Sequence, residues 1–114
     1  MAKSKKDKLR VAFIGAGGIA GAHMRYYKEM EDVEMVAASV QSRCEEYEIP
    51  EAYTDYKKML KQVKPDAVSV CTPNGLHAPC TVAALNAGAH VIVEKPLALN
   101  ASEGQKMLDA AKKN

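Results

Sequence analysis

Short apolar runs alternate with longer amphipathic stretches along most of the chain. The runs are rich in β-branched residues and predict strands over residues 9–14, 34–40, 66–71 and 90–93. The stretches with helical spacing predict helices over residues 18–30, 54–63, 78–87 and 101–113. Thr54 occupies the position of an N-cap, and Gly88 that of a C-cap. Strands and helices that alternate through short connections predict an α/β fold, an open parallel sheet with helices on both faces.

The connection after the second strand is unusually short. It has 11 residues, 41–51, which is close to the minimum for joining parallel strands through a helix. Ser42 is placed to cap a helix of one or two turns over residues 43–48. Residues 52–53 would then add a minimal strand, for about five strands in all. We therefore expect a short or missing helix after strand 2 and a thinly covered flank of the sheet.

Composition narrows the class of protein. The 114 residues are 47% hydrophobic and 26% charged, which is typical of one folded globular domain. The first ten residues hold five basic side chains and one acidic one. Such a segment could contact nucleic acid, but a solvated terminus explains it better. We therefore expect residues 1–9 to form a disordered basic arm without a nucleic-acid partner. No apolar run approaches the ~20 residues of a membrane span, and no signal peptide is evident, so we expect a cytoplasmic protein without a membrane partner.

The cysteines lack the CxxC spacing of a metal or redox site. They are Cys44, Cys71 and Cys80. We expect all of them to be reduced, with Cys71 buried in a strand, and we expect no metal site.

A glycine motif stands between the first predicted strand and helix. Gly15, Gly17 and Ala20 fit the GxGxxG/A pattern, in which the first glycine permits a tight turn and the second lets the backbone approach a pyrophosphate. The free N–H groups around Gly17, Gly18 and Ile19 would attract phosphate. A glycine-rich turn also has a purely structural explanation, but the strand and helix on either side favour phosphate binding.

Two further polar loops follow later predicted strands. They are Thr72-Pro73-Asn74-Gly75-Leu76-His77 and Glu94-Lys95-Pro96. Because the carboxyl ends of parallel strands share one edge, where open α/β folds bind ligands, we expect both loops to lie beside the glycine turn.

Three ordered segments carry a resemblance to a known family. GAGGIAGAH, VSVCTPNGLHAP and AGAHVIVEKPLALN resemble the N-terminal half of the glucose-fructose oxidoreductase / inositol dehydrogenase / rhizopine catabolism (Gfo/Idh/MocA) family. The resemblance covers nearly the whole chain after residue 9. It implies a Rossmann-type dinucleotide-binding domain over residues 10–114 and a nicotinamide-dependent oxidoreductase acting on a sugar, a cyclitol or a related polyol.

The resemblance also implies roles for individual residues. The turn at residues 15–19 would hold the pyrophosphate, and four residues of the second loop would lie beside the nicotinamide half: Thr72, Pro73, Asn74 and His77. Lys95 would be catalytic, contacting the reacting hydroxyl or carbonyl; an ion pair with Glu94 or simple exposure is the alternative. Glu94 is expected to be structural or to contact the cofactor. His77 is as well explained as a polar residue ahead of a helix, and His23 and His90 as packing or surface residues.

The sequence departs from the family after the second strand. Family members usually place an aspartate there, which holds the adenosine ribose of NAD, but this chain has Ser39, Val40 and Gln41. A carboxylate repels a 2′-phosphate, whereas an arginine pairs with it. Ser39 and Arg43 are therefore expected to contact the cofactor and to favour NADP over NAD.

The family's second domain, which supplies the substrate platform, is absent from this sequence. We therefore expect no efficient turnover, and an excised or engineered nucleotide-binding half, with a natural short paralogue as the alternative. Uncovered apolar surface around Leu97 and Leu99 would favour a homodimer, with possible exchange of elements between chains. Two other classes remain open: a nucleotide or S-adenosylmethionine module, and a folding or assembly model that binds nothing.

Overall fold

A computed structural model describes residues 8–15, 18–39, 44, 47–72, 74–94 and 98–114, with the backbone alone at residues 18, 19 and 74. The strands are β1 (Leu9–Ile14), β2 (Val33–Ala38), β3 (Glu51–Ala52), β4 (Ala67–Val70) and β5 (His90–Val93). The helices are α1 (Gly18–Glu29), α2 (Tyr56–Val63), α3 (His77–Asn86) and α4 (Ala101–Lys113), with a 3₁₀ turn at Asn74–Leu76.

The strands form one parallel sheet in the order β3-β2-β1-β4-β5. This confirms the predicted α/β Rossmann-like fold with about five strands. The strand order reverses between the neighbouring strands β1 and β4. In open α/β sheets, the carboxyl edge at such a reversal is where ligands bind.

Each face of the sheet buries its own apolar core. On one face, Val11 and Phe13 of β1 pack with Ala20 and Met24 of α1. On the other, the alternate positions of β1 and β4 pack against α2 and α3, with these residues at the centre: Ala12, Ile14, Val68, Met59, Leu60 and Ala84. Alternation of side chains along β1 therefore covers both faces, as expected for a central parallel strand.

Element ends differ slightly from the predictions because capping decides them. Asp55, rather than Thr54, is the N-cap of α2, where its Oδ1 accepts N–H bonds from Lys57 at 2.9 Å and Lys58 at 3.4 Å. Strand β2 ends at Ala38, two residues before the predicted end at residue 40. Gly88 follows the last residues of α3 with φ +90°, the left-handed conformation that glycine supplies at helix ends.

The short connection after β2 is described only in part. β3 pairs with β2 at the outer edge of the sheet, one residue earlier than predicted. The predicted cap Ser42 and most of the predicted helix at 43–48 lie outside the described residues. Cys44 is buried, and Ile49 packs in the same core.

The cysteines are free thiols and all are buried. Cys71 lies directly after β4 instead of within it, and its burial is confirmed. Leu99 is 60% exposed, as predicted, whereas Leu97 lies outside the described residues. Among the helices of the described ranges, none has the length and apolar character needed to cross a membrane. The predicted arm is described only from residue 8 onward.

Candidate functional site

The carboxyl ends of four strands meet beside the glycine turn. Backbone bonds continue the ladder past the strand ends: Ser39 N–H donates to Phe13 O at 3.0 Å, and Cys71 N–H donates to Ile14 O at 2.8 Å. Glu94 N–H donates to Val70 O at 3.3 Å. The residues that sequence analysis placed at one edge are thus brought together there.

Gly15 makes the closest backbone approach in this region. Its φ is +82°, and an added Cβ would lie 2.7 Å from Cys71 O and 3.0 Å from Thr72 Cγ2. Side chains rarely adopt this conformation, and backbone atoms cannot move aside as a flexible side chain can. Only glycine therefore lets the chain turn here directly against the end of β4.

Ser39 supports that turn from the neighbouring strand. Its Oγ accepts the N–H of Gly15 at 2.9 Å, and its side chain is half-buried. A donor at the start of a tight turn needs a partner because it has left the sheet ladder. Ser39, which the sequence predicts to influence cofactor specificity, thus also stabilises the turn at Gly15.

Thr72 contributes a hydroxyl that its own surroundings leave unused. Its Oγ1 is buried and has no hydrogen-bond partner among the residues that the structure describes. The same side chain is next to Gly15, through Cγ2. A buried hydroxyl without a partner is uncommon in a folded protein and calls for an explanation, such as a bound ligand group.

His77 is buried at the first turn of α3. Its Nε2 lies 2.9 Å from Thr72 O, and because a carbonyl only accepts, Nε2 carries the hydrogen. This bond spans the loop between β4 and α3 and fixes its backbone. His77 is therefore a structural support of the loop in which Thr72 lies.

His23 of α1 reaches the same edge, although the sequence suggested only packing or surface. Its Nε2 is 2.6 Å from Glu94 Oε1, and its Nδ1 is 3.8 Å from Cys71 Sγ. Burial, and next the nearby Glu94 charge, raise the pKa of the Cys71 thiol to about 11. A signal was present in the sequence: His23 lies one helical turn after Ala20, on the face that packs against the strands.

Several predicted site residues lie outside the described residues: Gly17, Arg43, Pro73 and Lys95. The backbone of Gly18 and Ile19 opens α1, and that of Asn74 lies in the 3₁₀ turn. Within the described ranges, no cluster of His, Cys, Asp or Glu could hold a metal ion.

The geometry fits a dinucleotide. The Gly15 turn, packed against Cys71, corresponds to the first glycine of the motif, which makes the tight turn before the helix, and the buried Thr72 hydroxyl next to it is a donor without a partner among the described residues. Both lie at the point where the strand order reverses. The fold and this edge together define a Rossmann-type dinucleotide-binding domain.

Sequence comparison identifies the family. Residues 9–114 match the Gfo/Idh/MocA oxidoreductase family, described by its NAD-binding Rossmann fold. The chain therefore belongs to this family, as the motif resemblance implied.

Individual relatives agree with that assignment. The chain is 43% identical over 112 residues to D-glucoside 3-dehydrogenase of Escherichia coli K12, covering 92% of this chain and 32% of that protein. It is 33% identical to the scyllo-inositol 2-dehydrogenase (NADP(+)) of Bacillus subtilis 168, and the match covers 93% of this chain and 34% of that protein. The crystal structure of myo-inositol 2-dehydrogenase from Lactobacillus plantarum superposes with a TM-score of 0.86 at 32% identity. The superposition covers 94% of this chain and 34% of that protein. The chain thus spans about a third of the length of these relatives.

Proposed function

We propose that the chain is the NAD(P)-binding domain of an oxidoreductase that acts on a sugar, a cyclitol or a related polyol. The observation that carries the proposal is the Gly15 turn, closed against Cys71 and flanked by Thr72, whose buried hydroxyl has no partner among the described residues. When bound, the dinucleotide would supply hydride transfer. The three relatives named above are dehydrogenases of a glucoside or of inositols, and their names support the substrate class.

In this proposal the chain's residues bind and orient. The turn at residues 15–19, with Gly15, Gly17, Gly18 and Ile19, holds the pyrophosphate at the start of α1. The nicotinamide half lies along the second loop, beside Thr72, Pro73, Asn74 and His77, with Glu94 at its edge. Lys95, a cation just past β5, polarises the reacting carbonyl or positions the hydroxyl.

Turnover would need a second domain. The relatives are about three times longer, and we propose that the 114-residue chain alone binds cofactor without efficient catalysis. A cytoplasmic location, with its NAD(P) pool and reducing conditions, fits the buried free thiols.

For the cofactor we favour NADP over NAD. Residue 39 carries a hydroxyl in place of a carboxylate, and Arg43 follows within the same connection. We expect NADP⁺ to bind about threefold more tightly than NAD⁺, with Arg43→Ala removing that preference and leaving NAD⁺ affinity unchanged, as a lost phosphate contact implies. Calorimetric titration of both proteins with both dinucleotides measures this.

The same titration tests the proposed function. S-adenosylmethionine is the control ligand, and we expect no heat from it. If neither dinucleotide binds at millimolar concentration, the proposed function fails; equal affinities for NAD⁺ and NADP⁺ in the unsubstituted chain would refute the cofactor preference alone.

We further propose that the isolated chain forms a homodimer. β5 is an edge strand, Ile92 on it is 51% exposed, and Leu99 just beyond is 60% exposed. Unpaired strand edges with apolar side chains promote association, and a charge on the edge prevents it. Sedimentation velocity over a concentration series should show twice the 12.3-kDa monomer mass, and Ile92→Lys should restore the monomer. A monomer at every concentration would contradict the proposal.

A further inference from the structure

One side-chain contact joins the helix after the glycine turn to the far end of the site. His23 Nε2 lies 2.6 Å from Glu94 Oε1, with the two side chains 16% and 27% exposed. This distance is shorter than that of a usual nitrogen–oxygen hydrogen bond, and bonds to a charged acceptor are the shorter ones. It links α1 to the carboxyl end of β5, across 71 residues of sequence.

Both ring nitrogens of His23 have a partner. The carboxylate of Glu94 accepts, so Nε2 carries a hydrogen. Cys71 Sγ lies 3.8 Å from Nδ1, and its thiol keeps its proton because burial raises its pKa to about 11. A chain of bonds thus runs from Cys71 through His23 to Glu94.

The ring of His23 is itself held by the core. The ring of Tyr27 packs edge-on against the His23 ring, with 6.2 Å between their centroids. The Tyr27 ring also packs against the buried Phe13 ring, at a centroid distance of 5.8 Å. The Tyr27 hydroxyl is 3.2 Å from Ser69 Oγ. These contacts leave His23 little freedom to turn away from Glu94.

Glu94 needs this support. Strand β5 ends at Val93, and the Glu94 N–H bond to Val70 O, at 3.3 Å, is long. The next residue in the chain is Lys95, which in the proposed function contacts the reacting carbonyl or hydroxyl of the substrate. The direction in which the chain leaves β5 at Glu94 therefore decides where Lys95 can lie.

We propose that His23 is a positioning residue of the dinucleotide site, which ties Glu94 to α1 and so fixes the chain at the residue preceding Lys95. This inference rests on the proposed function for its purpose, although the link itself is independent of any ligand. Because α1 begins at the glycine turn, one helix then orients both the pyrophosphate turn and the end of β5. Bonds behind a binding site commonly orient its contacting groups in this way.

The first test is amide hydrogen exchange on the unliganded 114-residue chain. His23→Phe keeps a ring in the core but removes the donor, and it should speed exchange of the amides at 94 and 98–100 about tenfold through local opening. His23→Gln presents an amide N–H near the position of Nε2 and should stay within about twofold of the unsubstituted chain. Amides of β1 and α4 should be unchanged in both variants.

The second test is binding. His23→Phe should weaken NADPH binding about fivefold and ADP-ribose, which lacks the nicotinamide, less than twofold, while His23→Gln restores NADPH affinity. Unchanged exchange at residues 94 and 98–100 in His23→Phe, or equal effects of the two His23 variants, would overturn the proposal. If His23→Phe does not fold, Glu94→Ala removes the acceptor and should give the same exchange signature; its absence there would also overturn the proposal. Should the unsubstituted chain bind no dinucleotide while exchange changes as expected, the link stands and the proposed function fails.

Discussion

Gly15→Ala should lower the free energy of unfolding by about 3 kcal/mol and the Tm by about 10–20 °C. Two effects add. At φ +82° an alanine is strained by about 1 kcal/mol or more. Its Cβ would also meet Cys71 O at 2.7 Å and Cys71 C at 2.9 Å, so the ends of β1 and β4 must separate. Urea and thermal denaturation followed by circular dichroism measure the change.

Two other glycines separate these effects. Gly88 has φ +90° but nothing within 4 Å of an added Cβ, so Gly88→Ala should lose only about 1 kcal/mol, the conformational part. Gly104 lies inside α4 with open space around it, and Gly104→Ala should stabilise the protein by up to about 1 kcal/mol. Equal losses for Gly15→Ala and Gly88→Ala would show that the contact with β4 has no energetic weight.

The fold was predictable because its determinants are local. The bounds of β1, β5 and α4 agree with the hydrophobic pattern, since each has a clear apolar face and a clear end. The N-terminus of α2 was one residue off because Thr54 and Asp55 are both good caps. Only the backbone conformation decides which of the two side chains points at the free N–H groups.

The site was predictable where it depends on backbone and not where it depends on side-chain direction. Gly15 and the shared strand edge follow from the motif and from parallel topology. The bond from Gly15 to Ser39 spans 24 residues, and that from His23 to Glu94 spans 71. Both depend on strand register and on how α1 lies on the sheet, which no local pattern encodes.

Thr72 shows how the two kinds of information combine. The family resemblance predicts that Thr72 lies beside the cofactor, and in the structure its hydroxyl is buried and without a partner among the described residues. Such a group lowers the stability of the free protein by about 1–3 kcal/mol. Retaining it makes physical sense if a ligand completes the bond.

Thr72→Val should therefore change stability and binding in opposite directions. Valine keeps the shape and removes the unpaired hydroxyl, so the free energy of unfolding should rise by about 1 kcal/mol. NADPH affinity should fall about tenfold, because the ligand loses a donor in a buried site. Denaturation and calorimetric titration of the same preparation measure both.

Thr81→Val is the matched control. Thr81 Oγ1 is the other buried hydroxyl without a partner in the described part of the chain, but Thr81 lies on α3 beside Leu85 and Met107, away from the glycine turn. The Thr81→Val variant should gain similar stability and leave NADPH affinity unchanged. A gain in stability by both variants with a loss of affinity in Thr72→Val alone assigns the Thr72 hydroxyl to the ligand. If Thr72→Val instead binds NADPH as tightly as the unsubstituted chain, that hydroxyl does not contact the dinucleotide, and its lack of a partner is a packing defect of the β4–α3 loop.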